Sequence, residues 1–214
     1  MTQLSAVVFA VRRVLAAQGI PVSAGHTQQL ATAALGHNNL ASYQASNDDA
    51  GLALASIIAF DSERLFGRAL QLGFDGAAFS QALAGELKAR FPTARVYPDQ
   101  EDWLSDVQSH FEIAIINDGH VESEVAMTNG TFPRIDIELP WWETLDEYDG
   151  DTLSAEVEGP VTVDQDGDRA YYGHEIDVRA TLTVERFGRR LFGEYHLDVE
   201  KASLRWLGEQ NPSF

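Results

Sequence analysis

The sequence predicts an α+β protein, with helices first and a mainly antiparallel β-sheet after them. Three observations carry that expectation. Apolar residues recur at helical spacing from the first residues to about Pro92. Beyond Pro92 their period shortens from about 3.6 to 2, the spacing of strands. At 214 residues and 44% hydrophobic content the chain is long and apolar enough for a sizeable core, and it has no cysteine to staple one. Residues 1–92 therefore read as a helical region and residues 93–214 as an acidic β-rich region.

The first helix uses Leu4, Val7, Val8, Val11, Val14 and Leu15, turns Arg12 and Arg13 outward, and ends at Gly19 and Pro21. A second runs from Thr27 through Leu30, Ala31, Ala34 and Leu35 to a stop at Gly36, and a short third points Leu40 and Tyr43 inward. The apolar run Leu54–Phe60 fits either a strand or a buried helical turn. Asp61 is a natural N-cap for a helix through Leu65, Phe66, Ala69 and Leu70 that stops at Gly73. Another helix covers Ala77–Phe91.

The strand-like stretches begin with His110–Ile116, and Ile135, Ile137 and Leu139 then alternate with Asp136 and Glu138. Val161 and Val163 lead into a hairpin turn at Asp164–Asp168, and Ala170–Tyr172 return. The clearest alternation is Ile176, Val178, Ala180, Leu182 and Val184 against Asp177, Arg179, Thr181, Thr183 and Glu185. After a turn at Phe187–Arg190 the chain returns through Leu191, Gly193, Tyr195, Leu197 and Val199. Such alternation implies a sheet with one wet face.

Charge is the strongest functional clue. The net charge is −18, and the stretch from Asp99 to Asp177 holds 22 Asp or Glu against only Arg134 and Arg169. The acidic residues interleave with apolar ones, so they belong to a folded surface and not to a disordered tail. A surface of that sign repels nucleic acid and attracts a basic protein or a metal ion. The N-terminus places its apolar residues before its arginines, the reverse of a secretory segment, and its apolar run is too short to span a bilayer. With no cysteine as well, a cytoplasmic protein that does not engage membranes is the expectation.

The stretch His26–Ala45 has the look of a helix-turn-helix, with Leu30-Ala31 followed by Leu35-Gly36. No Lys or Arg lies between Val14 and Glu63, so this segment brings nothing to neutralise phosphates and direct nucleic-acid binding is not expected. Through Leu30, Ala31, Leu35, Gly36, Leu40 and Tyr43, residues 26–45 resemble a short N-terminal helical module of glyoxalase-related proteins. They also resemble a segment of proteins encoded by integrative and conjugative elements. The residues that carry the likeness are packing and turn residues, so it implies a local fold more than an activity. Ile57–Asp61 and the helix after it also look like the opening of a glyoxalase βαβββ unit, but the strands that would complete such a unit do not follow.

Three candidate sites remain. His110 with Glu112, His120 with Glu122, and Glu194 with His196 stand two residues apart; on strands each pair shares a face, which suits a metal site or an outward polar face. Asp164, Asp166, Asp168 and Glu175 echo a calcium loop, but Arg169 stands where such a loop needs glycine, and a solvated hairpin turn fits better. Trp141 and Trp142 precede a run of carboxylates; one Trp at the surface within an acidic rim makes a protein-binding hot spot, while two core tryptophans or a sugar-stacking platform are the alternatives.

No cofactor-binding, phosphate-binding or nucleophile-elbow motif is present. The expected function is therefore a non-enzymatic protein whose acidic surface engages a basic, nucleic-acid-binding partner, as an inhibitor or immunity factor would. Trp142, Glu143, Asp146, Glu147, Asp149 and Asp151 are the expected contacts. A metal-dependent enzyme using the His/Glu pairs and an assembly protein of a mobile element are the alternatives.

Overall fold

The computed structural model of the chain describes residues 2–128, 130–137, 139, 150–164 and 175–205. The fold is α+β. In chain order the elements are α1 (Gln3–Ala17), α2 (Ala24–Ala34), α3 (Leu40–Ala45), α4 (Asp48–Leu54), β1 (Ile57–Ala59), α5 (Ser62–Leu72), α6 (Gly76–Arg90), β2 (Arg95–Tyr97), α7 (Gln100–Ile116), α8 (Gly119–Thr128), β3 (Thr131–Ile135), β4 (Thr152–Asp164), β5 (Glu175–Gly188) and β6 (Leu191–Arg205). The strands form one mixed sheet in the order β2-β1-β6-β5-β4-β3. Strand β1 pairs in parallel with β2 and antiparallel with β6.

Two compact units make up the chain, each assembled from separate stretches. The first comprises Met1–Ser105, Asp149–Leu153 and Val184–Glu194; the second comprises Asp106–Tyr148, Ser154–Thr183 and Tyr195–Phe214.

In the first unit the expected helices form where their caps require. The side-chain oxygens of Thr2, Ser23, Asn39, Asp61 and Asp75 accept amide hydrogen bonds at the starts of α1, α2, α3, α5 and α6. Gly73 ends α5 in the left-handed conformation that glycine adopts without strain (φ +73°). The core gathers Leu4, Val8, Val11, Leu15, Leu30, Leu35, Phe60, Leu65, Phe79 and Leu87, all buried. Leu54–Phe60 resolves into the end of α4 and the strand β1, whose three residues are all buried. Asp49 accepts the backbone N–H groups of Gln3 and Leu4, both at 3.1 Å, and so satisfies two unpaired donors at the start of α1.

The second unit corrects one expectation. His110–Ile116 is not a strand but the end of the helix α7, and a second helix, α8, follows it. Phe111, Ile113 and Ile115 alternate like a strand, yet Val107, Phe111 and Ile115 are spaced four apart and fully buried while Ile113 is 59% exposed. That is a helical stripe. Asp118 starts α8 by accepting the N–H groups of His120 and Val121.

Strand β5 is as the alternation predicts, while the expected turn after Asp164 and its return at Ala170–Tyr172 lie outside the described residues. In β4 residues Leu153, Ala155, Val157, Val161 and Val163 are buried, and in β5 the even-numbered residues from Ile176 to Val184 are buried. Strand β3 is an edge strand, where Pro133 costs no ladder hydrogen bond. It ends at Ile135; Ile137 and Leu139 beyond it are buried and held by Gln108, which donates to the Ile137 carbonyl (2.8 Å) and accepts from the Leu139 N–H (3.3 Å).

Candidate functional site: the acidic face of the sheet

The period-2 pattern of β4, β5 and β6 sorts charge from core in the second unit. Because alternate residues point to opposite faces, burying one set sends Glu156 and Glu158 of β4, Glu175 and Asp177 of β5, and Asp198 and Glu200 of β6 to the solvent side. Two arginines sit among these six carboxylates. Arg179 donates to Glu158 (2.9 Å), and Arg205 hydrogen-bonds Glu175 and Asp177, in one contact at 3.2 Å. Thr181 donates its hydroxyl to Glu200 at 2.7 Å.

Arg179 reports the local field. The hydrogen bond and charge of Glu158, followed by the charges of Glu200 and Glu156, hold its guanidinium pKa above the usual value. One arginine thus faces three carboxylates, and the face keeps an excess of negative charge. These ion pairs are exposed, so each adds little to stability.

The other sequence candidates are placed differently. Trp142, Glu143, Asp146, Glu147 and Asp149 lie outside the described residues, as do Asp166, Asp168 and Arg169 of the calcium-like loop. Asp151 is exposed just before β4, and its carbonyl accepts the Arg186 N–H at 2.8 Å. Asp164 ends β4 and receives Arg134 at 3.0 Å.

His110 and Glu112 sit on α7, and His120 and Glu122 on α8; two residues apart on a helix, neither pair shares a face, which corrects the strand expectation. His110 bonds the Asp106 carbonyl (3.0 Å) and packs edge-on against Tyr195, and Glu112 accepts from Gln108 (2.9 Å). Glu194 and His196 do lie on the strand β6, both exposed, but Glu194 is paired with Arg95 at 2.9 Å. No group of three or more His, Asp or Glu among the described residues is placed to hold a metal.

Sequence reasoning missed a buried polar node in the first unit. His37, 1% exposed, bonds Asp48 through Nε2 at 2.7 Å, and Asp48 also accepts the Arg189 N–H at 3.1 Å. Arg190, 3% exposed, donates to Asp61 at 3.1 Å, and Arg64 donates to the same carboxylate at 2.9 Å. Burial alone would raise both carboxyl pKa values. Hydrogen bonds from His37 and Ser46 to Asp48, and from Arg64 to Asp61 with the Arg190 charge beside it, outweigh burial and lower them.

Ser42 Oγ lies 3.4 Å from His37 Nδ1, so serine, histidine and aspartate fall in a row. The serine hydroxyl donates to the Asn39 carbonyl at 2.9 Å, and His37 is closed to solvent. The row fastens the α2–α3 turn to α4. Elsewhere in the node Asp61 and Arg190 are 129 residues apart, and no local motif announces such a pair. No helix among the described residues is long and apolar enough to cross a membrane. No family model matches the chain, and neither do the curated proteins or the solved structures compared with it.

Proposed function

We propose that the chain is a non-enzymatic binding protein whose acidic sheet face engages the cationic surface of a nucleic-acid-binding protein. The observation that carries this reading is the set Glu156, Glu158, Glu175, Asp177, Asp198 and Glu200 on the wet side of the strands β4, β5 and β6, with Arg179 and Arg205 as its counter-charges. A sheet holds its side chains at fixed spacing, so these carboxylates meet a basic groove with little further ordering. An inhibitor or immunity factor needs that: a rigid anionic surface that competes with phosphates and speeds encounter by steering.

Carbodiimide coupling, which joins a carboxylate to a lysine at zero length, tests the reading on the protein purified with its bound partner. Cross-links from Glu156, Glu158 or Glu200 to lysines of a basic protein, lost at high salt, are the expected result. Cross-links confined to other parts of the chain, or an acidic partner, would refute it.

A further inference from the structure

Packing returns to the α2–α3 turn the positive charge that its own sequence lacks. Arg68 of α5 donates to the Asn38 carbonyl at 3.0 Å, and Arg189 of the β5–β6 turn reaches the Gly36 carbonyl at 3.4 Å. Neither guanidinium has a carboxylate partner among the described residues. Asn38 and Asn39 are exposed on the same turn. Their amide orientations are fixed by their partners: Asn38 Oδ1 accepts from Arg64, and Asn39 Oδ1 accepts the Ser42 N–H at 2.9 Å. Arginine and a backbone N–H only donate, so each amide gives its oxygen to that partner and keeps its NH₂ as a further donor.

The exposed side chains at the turn are therefore donors: the guanidinium groups of Arg68 and Arg189 and the amides of Asn38 and Asn39, with Arg64 beside them already paired with Asp61. The turn is also stiff. Gly36 adopts φ +81°, and a side chain there would press on Arg190 and Arg189; His37 is pinned to Asp48, and Asn39 caps α3. A preorganised, doubly cationic patch of donor side chains suits an acceptor-only anion. A phosphate group matches it better than a carboxylate, because it carries nearly two charges and more acceptor oxygens. A polymer of phosphates would meet the −18 charge of the chain, so the fit is to a small molecule.

We propose that the turn at residues 36–39, with Arg68 and Arg189, binds the phosphate group of a small phosphorylated molecule. Nuclear magnetic resonance of the full chain tests this by following the side-chain NH₂ signals of Asn38 and Asn39 and the Nε–H signals of Arg68 and Arg189. The probes are inorganic phosphate, glycerol phosphate, acetate and a single-stranded oligonucleotide.

Saturable shifts at these four residues with phosphate and glycerol phosphate, weaker ones with acetate, are expected. Arg189→Gln leaves its backbone N–H on Asp48 and should weaken binding about tenfold. Arg68→Lys keeps the charge and should weaken it less. No saturable shift, acetate binding as tightly as phosphate, or an unchanged affinity in Arg189→Gln would overturn the proposal. Oligonucleotide binding far tighter than glycerol phosphate, with a steep salt dependence, would overturn it in favour of a nucleic-acid ligand.

Discussion

Asp61 shows how much one side chain can hold together. It caps α5 through the Arg64 N–H and receives the buried Arg190. Removing its charge leaves a buried guanidinium uncompensated, so Asp61→Asn should cost about 3–5 kcal/mol at neutral pH in urea unfolding. The sign with pH follows from the lowered carboxyl pKa values of Asp48 and Asp61. A pKa depressed by folding contributes stability above the ordinary value of 3.8 and loses it as pH falls through the folded-state value. The gap between wild type and Asp61→Asn should therefore close in acid; a gap that stays constant down to acid pH would contradict the role given to this carboxylate.

Glycine carries a comparable constraint. A Cβ on Gly188 would lie 2.7 Å from the Asp48 carboxyl carbon, and one on Gly51 would run into the Phe187 carbonyl. Gly51→Ala should therefore lower the melting temperature, although alanine favours a helix by about 1 kcal/mol over glycine.

At the scale of elements, capping residues and glycine stops made the first helices legible. Asp61 and Gly73 bound α5 as the sequence suggests. The final hairpin was legible because one of its faces is core and the other is wet. Helix α7 was not, because Phe111, Ile113 and Ile115 satisfy both periods, and Ile113 is an apolar residue left at the surface. Only the wider window from Trp103 through Val107 to Phe111 and Ile115 separates them. The short elements α4 and β2 gave too few residues to show a period. Substitution checks the assignment: Phe111→Ala should cost about 3–5 kcal/mol, and Ile113→Ala within about 0.5 kcal/mol. Comparable losses at both positions would restore the strand reading.

For the whole molecule, the sequence showed the part of the acidity that lies on strands, since Glu156, Glu158 and Asp177 alternate with buried residues, but not the part on the helices α7 and α8, such as Asp106, Glu112 and Glu122. The His/Glu pairs were legible only as a spacing, and the helices α7 and α8 turn two of the three into unrelated side chains. The node of His37, Asp48, Asp61 and Arg190 was invisible because tertiary packing alone brings it together. If the acidic face steers a basic partner, salt governs the encounter. The association rate of that partner with wild type and with the combined variant Glu156→Gln, Glu158→Gln, Glu200→Gln, measured across ionic strength, tests it most directly. Steering requires a wild-type rate that falls steeply with salt and a variant that is slower at low salt with a shallower slope. A salt-insensitive rate shared by both proteins would contradict it.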